Sequence, residues 1–438
     1  MADSAAPVVV WFRRDLRLDD HPALMAALET GRPVVPLLVV DPGLEAAPTM
    51  GSARWARFVA AIVALDRDLR GVGSRLVLRR GDPRIVVPSL FTELGAVAVF
   101  ASRDVTPYAV RRDRAVEAAV PLRLLPGTLV VEPEATGATR AFTPFHRRWL
   151  AADHGTPLPP PSLIPSPHGI AGEPLPNVVP QGGPEADQRL MRFAMDRARS
   201  YALDRDRLDR DGTSSLSADL HFGTISGRRV ASVVDVPAYR RQLAWRDWAH
   251  HLLWFEPSDG GQRTAAASGE IHWQDDPAGL DAWREGRTGY PTVDAAMRQL
   301  ASTGTMHNRA RMIVASFLTK DLLIDWRVGE AHFLRHLVDA DVANNRLGWR
   351  WTAGVGPDAA PFFRIFNPVL QGRRFDPDGA WVRRWVPEIA HLPSAVIHEP
   401  WAAPGGPPPG YPTPIVEHAS ARERALAAVR ARERPRLP

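Results

Sequence analysis

Five short apolar runs, Val8 to Trp11, Val34 to Val40, Leu76 to Leu78, Ala96 to Phe100 and Leu122 to Leu125, alternate with helix-like segments over the first third of the chain. Such runs fit strands buried on both faces, and their alternation with helices predicts a parallel α/β sheet. Between two of them Trp55, Phe58, Val59, Ile62, Leu65 and Leu69 recur at three- and four-residue spacing, which gives a covering helix one apolar stripe. Asp20 is placed to cap a helix that opens at Pro22. The turn after the first run reads Arg13-Arg14-Asp15-Leu16-Arg17 rather than G-x-G-x-x-G. The usual dinucleotide cradle is missing, which argues against a nicotinamide dehydrogenase.

From Asp153 to Asp187 the chain is crowded with Pro and Gly and has no sustained period, as an inter-domain connector would. Beyond Pro184 helical patterns take over. The clearest begins at His307 and runs to Trp326, and it sets Asn308, Arg311, Met312 and Ala315 on one face. The expected organisation is an α/β domain over 1–135, a connector over 136–185 and an all-α domain over 186–438. With 438 residues and 45% hydrophobic content, the chain is long enough for two cores. It has no cysteine, which excludes disulfides, thiolate metal sites and a Cys nucleophile. The Val8–Phe12 run is too short for a signal peptide or membrane span, so a soluble cytoplasmic protein is expected. The net charge of +5 argues only weakly for nucleic acid, and Lys320 is the one lysine among many arginines.

The densest chemistry lies between Asp339 and Pro368. Asp339, Asp341, Asn344 and Asn345 precede Gly348-Trp349-Arg350-Trp351, and an aromatic run follows at Pro361-Phe362-Phe363 through Phe366. Indole is oxidisable and also a broad π-surface, so tryptophans set among Asn, Asp and Arg suggest redox chemistry beside an aromatic ligand; core packing is the plainer alternative. Arg311 is placed to pair with Asp339, Asp341 to accept a ring N–H, and Asn345 to bond a ring nitrogen. Gly212 to Ser217 reads either as a pyrophosphate-holding turn or as a plain helix cap. His332 and His336, and the adjacent His250 and His251, lack a third ligand at a recognisable spacing, so no metal is expected. No hydrolase elbow is present.

Several ordered motifs carry a resemblance. Trp11-Phe12-Arg13-Arg14-Asp15-Leu16-Arg17, Phe142-Thr143-Pro144-Phe145, Trp283-Arg284-Glu285-Gly286, Met306-His307-Asn308-Arg309, Ala315 to Trp326 and Phe363 to Pro368 are similar to those of the photolyase/cryptochrome family over nearly the whole chain. The sequence most resembles class I cyclobutane pyrimidine dimer photolyases.

The resemblance implies a Rossmann-like α/β antenna domain and an all-α FAD-binding domain. By position it assigns Tyr201, Thr213, Ser214, Ser215, Leu216 and Ser217 to the FAD ribityl and phosphate region, and Asn308, Arg311, Asp339, Asp341 and Asn345 to the flavin side. Trp349, Trp326 and Trp273 match an electron-transfer chain from flavin to solvent. Trp245 and Trp351 match the wall against a flipped-out lesion, with Gln242, Asn308 and Met312 beside it and Arg205, Arg246 and Arg309 on a phosphate-facing rim. Arg54 and Asp104 match an antenna site for 8-hydroxy-5-deazaflavin, with methenyltetrahydrofolate or no antenna as alternatives. The implied activity is light-driven repair of cyclobutane dimers in UV-damaged DNA by electron transfer from fully reduced FADH⁻, in a monomer with no membrane and no obligate protein partner.

The pattern departs from the family at Gln242, where a Glu is common, at Ser215, where an Arg is common, and at Thr305, where an aromatic is common. Two rivals share the motifs. A (6-4) photolyase matches Gln242 but usually has a His pair where this chain reads His307-Asn308, and Met312 fits the cyclobutane type better. A cryptochrome-like photoreceptor would use the same flavin and tryptophans for signalling.

Overall fold

The computed structural model describes residues 5–256, 271–358 and 364–433; Pro361, Phe362 and Phe363 of the aromatic run lie outside the described residues. The chain divides into two compact units, Met1–Tyr201 with Ser214–Phe255, and Ala202–Thr213 with Glu256–Pro438. This division does not coincide with the linear one expected at 135 and 185, because the helices within 214–255 pack with the sheet-bearing unit.

In unit 1, β1 (Val8–Phe12), β2 (Val34–Val40), β3 (Val77–Arg80), β4 (Val99–Ser102) and β5 (Leu122–Leu125) form one parallel sheet in the order β3-β2-β1-β4-β5. Helices α1 (Pro22–Leu28), α2 (Ser52–Gly71), α3 (Pro83–Glu93) and α4 (Pro107–Glu117) cover it. Because strand side chains alternate, Val8, Val10 and Phe12 pack with Leu24, Ile62 and Leu65, while Val9 and Trp11 pack with Val87, Leu90 and Val116. The sheet thus has a buried core on each face. Beyond it come α5 (Phe142–Ala151), α6 (Gly183–Asp196), α7 (Ser217–Phe222), α8 (Gly227–Val233) and α9 (Pro237–Phe255).

The arginine-rich turn after β1 is a buried knot. The Arg17 guanidinium donates to the carbonyls of Asp19, Asp20, Gly127 and Gly223 at 3.0, 2.8, 2.7 and 3.1 Å. Gly223 ends α7 at φ +68°, and the backbone of Arg14 and Asp15 lies against its Cα, where no side chain would fit. Asp20 does not cap α1 as the sequence suggests. His21 does, accepting from Leu24 N at 3.1 Å, while buried Asp20 takes φ 46° and binds Arg228 at 2.5 Å and Leu158 N at 3.1 Å. A buried carboxylate needs a cation, and Arg228 outcompetes the helix terminus.

Among its described residues unit 2 has helices and no strand: α10 (Pro277–Glu285), α11 (Pro291–Thr303), α12 (Asn308–Ser316), α13 (Trp326–His336), α14 (Val342–Ala353), α15 (Pro368–Phe375), α16 (Ala380–Trp385) and α17 (His418–Glu433). The expected helix from 307 to 326 is broken. α12 stops at Ser316, a π-turn runs Phe317–Asp321, and Leu323 takes φ 57° before α13 begins at Trp326 under an Asp325 cap. All five π-turn residues are buried, so packing overrides the helical period.

After α15, Asp376 is fully buried and accepts Trp381 N and Val382 N at 3.0 and 2.9 Å, closing the start of α16. Burial pushes its pKa up to about 6. A raised carboxylate pKa means the folded state holds the proton more tightly, so this stability is present below about pH 4 and lost as pH rises through 6, by up to roughly 3 kcal/mol. Urea midpoints across pH 4 to 7 are expected to fall more steeply for wild type than for Asp376→Asn. Parallel profiles would refute this.

Candidate functional site

Unit 2 gathers the flavin-side candidates Asn308, Arg311, Asp339, Asp341 and Asn345 onto α12, the segment leading into α14, and α14 itself. Arg311, one turn into α12, donates Nε to Met306 O at 2.8 Å and forks onto both Asp339 oxygens at 3.0 and 2.8 Å. Asp339 is buried, so the expected pair is formed where a charge needs one. Asp341 caps α14, accepting Asn344 N at 2.9 Å and Asn344 Nδ2 at 2.8 Å, so one oxygen of the expected ring acceptor already serves the helix. Asn345 donates Nδ2 to Glu330 O at 3.0 Å, which ties α14 to α13. Glu330, which the sequence reading passed over, also pairs with Arg346 at 3.2 Å, and burial raises its pKa.

The three tryptophans differ in exposure. Trp349 is 2% exposed and Trp326 9%, while Trp273 is partly exposed and packs beside Ile271, Leu323, Ala425 and Val429. Trp349 meets Phe333 and Trp283 edge-on at 5.0 and 6.3 Å. His332 stacks near His336 at 4.3 Å and lies edge-on to Trp283.

The lesion-side candidates of unit 2 sit at the start of α12. Asn308 is exposed, with Nδ2 at 3.9 Å from Met312 Sδ. His307 caps the helix by accepting Arg309 N at its Nδ1, and burial lowers its pKa to about 4. Arg309 pairs with Asp206 at 2.9 Å and lies over Phe375 at 4.5 Å; Arg205 is 3.8 Å from the same Asp206. Trp351 is half-buried on α14, and Thr213 is half-buried in the 202–213 segment.

Unit 1 carries the remaining candidates. Tyr201 is buried edge-on to Phe193 and Tyr239 at 5.8 and 5.0 Å, and Tyr239 OH donates to Ser214 Oγ at 2.8 Å. The 212–217 turn is no plain side-chain cap: Leu216 occupies the cap position without a side-chain bond, and exposed Ser215 stands at φ 56° beside exposed Ser217. On α9, Trp245 stacks on Phe142 at 3.9 Å and 8°, with Trp248 edge-on at 5.2 Å and Gln242 half-buried one turn back. Phe142 was legible as a motif residue but not as the partner of Trp245. Arg246 points inward, donating to Thr128 O at 2.9 Å and Leu220 O at 3.4 Å. His250 and His251 are ties of the same helix, His251 reaching Val131 O and Thr136 Oγ1 at 2.8 Å each.

The strand order reverses between β1 and β4, the place where open α/β sheets take ligands. The loops leaving those strands bring Arg14 to 3.8 Å from Asp104. Burial works against the Asp104 charge, but Arg14, the Thr106 N–H, Arg112 and Arg13 together hold its pKa below the ordinary value. Arg54 is buried rather than on the helix surface, and turns onto Thr49 O and, at 3.4 Å, Met50 Sδ.

A family model described as DNA photolyase matches residues 8–162, and one described as the FAD binding domain of DNA photolyase matches 239–431. A deoxyribodipyrimidine photo-lyase of Streptomyces griseus is 42% identical over 95% of this chain and 97% of its own. The crystal structure of a bacterial class III photolyase from Agrobacterium tumefaciens superposes with TM-score 0.89 at 39% identity, covering 98% of this chain and 99% of that one. A cryptochrome from Synechocystis gives the same score at 28% identity, over 98% and 100%. The chain belongs to the DNA photolyase family.

Buried polar atoms without a protein partner test whether unit 2 fits a bound flavin. Trp349 Nε1, His307 Nε2 and Arg309 Nε are such atoms, close in sequence to the Arg311–Asp339 pair and to Asn345. Buried donors normally find acceptors, so each of these atoms leaves a donor that a bound group with polar acceptors would satisfy.

Proposed function

We propose that the protein is a light-dependent deoxyribodipyrimidine photo-lyase that uses FAD to split cyclobutane pyrimidine dimers in UV-damaged DNA. FAD, when bound, supplies the light-absorbing one-electron donor. Arg311, held by Asp339, fixes a positive charge beside it, and Asn345, held to α13, presents an amide that serves as donor or acceptor. Tyr201 and the 213–217 turn take the ribityl and phosphate part. The rise in exposure from Trp349 through Trp326 to Trp273 suits replacement of electrons from solvent.

The lesion-facing chemistry of α12 carries the choice of substrate. Asn308 and Met312 offer an amide and a thioether, and His307 is neutral at physiological pH because its pKa is lowered to about 4. Cyclobutane cleavage breaks two C–C bonds with one electron in and one out and no net proton. Reversal of a (6-4) product must move a hydroxyl or amino group, which calls for an acid that this helix lacks among its described residues. Trp245 on Phe142 in unit 1 and Trp351 in unit 2 each offer an aromatic surface, and stacking on such a surface is worth roughly 1 to 3 kcal/mol per base. Arg205 and Arg309 of unit 2 are the phosphate-facing cations in this reading, so binding should weaken with salt, whereas Arg246, expected beside them, is taken up by Thr128 O and Leu220 O inside unit 1. The crevice at β1 and β4, with Asp104 and Arg14, is our site for an antenna of the 8-hydroxydeazaflavin type, and the enzyme is a cytoplasmic monomer. No described helix is long and apolar enough to cross a membrane.

Reduced protein under blue light is expected to restore cyclobutane-dimer oligonucleotides in proportion to enzyme, and to leave (6-4) products unchanged. Tight lesion binding without restoration would instead favour a photoreceptor, a reading kept open because the Synechocystis cryptochrome shares the fold.

A further inference from the structure

Helix α13 presents Trp326, Gly329, Glu330 and Phe333 at three- and four-residue spacing, all of them buried. The Trp349 ring lies on this face. A methyl built on Gly329 would fall inside the envelope of ring atoms Cη2, Cζ3 and Cζ2, the last at 2.6 Å, where carbons ordinarily keep about 3.5–4.0 Å. The backbone itself does not call for glycine. Gly329 lies within a helix and is not among the positive-φ residues, so there it costs about 0.5–1 kcal/mol relative to alanine. What its missing side chain permits is the depth of the indole. That ring has little room to yield, with Phe333 and Trp283 edge-on against it.

We propose that Gly329 is a positioning residue for electron supply: it sets how deeply Trp349 seats on α13, and so fixes the spacing between that indole and Trp326, three residues earlier on the same helix. The inference rests on Trp349 serving as the first donor to the flavin. Alanine at 329 would displace the ring by on the order of 1 Å, and electron transfer between two indoles falls off steeply with the gap between the rings. The chain supplies its own control away from the flavin side. Gly71, the last residue of α2, is exposed and has open space where its Cβ would lie, so the same change there makes no clash.

The test compares Gly329→Ala, Gly71→Ala, Trp349→Phe and the Gly329→Ala/Trp349→Phe double variant as flavin-loaded proteins. Flavin photoreduction, tryptophan-radical absorbance, repair after dithionite reduction and melting temperature are read for each. Gly329→Ala is expected to slow photoreduction and weaken the radical signal severalfold, while photoreduction by Gly71→Ala and dithionite-driven repair by Gly329→Ala match wild type. The loss of melting temperature in Gly329→Ala should vanish in the double variant, because a phenyl ring stops short of the outer indole carbons. Photoreduction by Gly329→Ala at the rate of wild type and Gly71→Ala overturns the proposal, and so does a melting penalty that persists in the Trp349→Phe background, where the ring is smaller. If Gly329→Ala alone yields no folded flavoprotein, rescue by Trp349→Phe supports the seating and failure of rescue overturns it. Equal photoreduction by wild type and Trp349→Phe would remove the donor role itself, leaving a result distinct from failure at Gly329.

Discussion

Trp349→Phe is expected to cut flavin photoreduction by about tenfold or more while repair by chemically reduced protein stays within about threefold. Phenylalanine is far harder to oxidise than tryptophan, so the substitution removes an electron donor while keeping an aromatic ring. The structural cost is limited. Among the described residues Trp349 Nε1 has no protein partner, so no hydrogen bond within the protein is lost, and the shortened ring leaves a cavity against Gly329, Phe333 and Trp283 worth roughly 1–3 kcal/mol. Steady illumination with an external reductant, followed spectrally, measures the first quantity; a dimer-repair assay on dithionite-treated protein measures the second. If both activities fall together, Trp349 acts through flavin binding or folding rather than electron supply. If neither falls, it is core packing only.

What the sequence made legible was set by periodicity. The β2 and β5 runs coincide with their strands because each is bounded by a turn and apolar throughout or nearly so. The fourth run is misplaced: Ala96 and Ala98 are buried, but Ala96 N closes the end of α3 on Phe91 O, and the strand proper runs Val99–Ser102. Burial alone does not distinguish a strand from the turn before it. The polar stripe of α12 was readable for the same reason as the strands, since Arg311 and its neighbours repeat at helical spacing. Its end was not readable, because the π-turn depends on packing by distant residues such as His418 and Arg424, which bond Asp321. Gly329 and Glu330 were passed over because their roles lie in a neighbouring helix: one is a missing methyl under a ring, the other a carbonyl under an amide. Asp20 shows the opposite error, where a residue of ideal capping type is buried and taken by the half-buried Arg228.

Asp247→Ala is expected to destabilise unit 1 by about 3–6 kcal/mol, a large share of the roughly 5–15 kcal/mol that holds a domain together. Asp247 is fully buried, and its Oδ2 accepts Val130 N and Val131 N at 3.0 Å and Trp149 Nε1 at 2.9 Å. Alanine leaves three buried donors with no acceptor, and removing one side of a buried hydrogen bond costs about 1–3 kcal/mol for each group stranded. Asp247→Asn keeps one oxygen and should cost markedly less. The effect reaches the lesion wall, since Asp247 lies on α9 two residues beyond Trp245, and the bonds from residues 130, 131 and 149 help fix how that helix is rotated. Exchange of the Val130 and Val131 amide protons reads the local loss directly: wild type should protect both, and Asp247→Ala should expose both far more than amides in β1. Unchanged protection in the alanine variant would mean that water or another acceptor satisfies those donors, and α9 would then be held by His251 and its two partners instead.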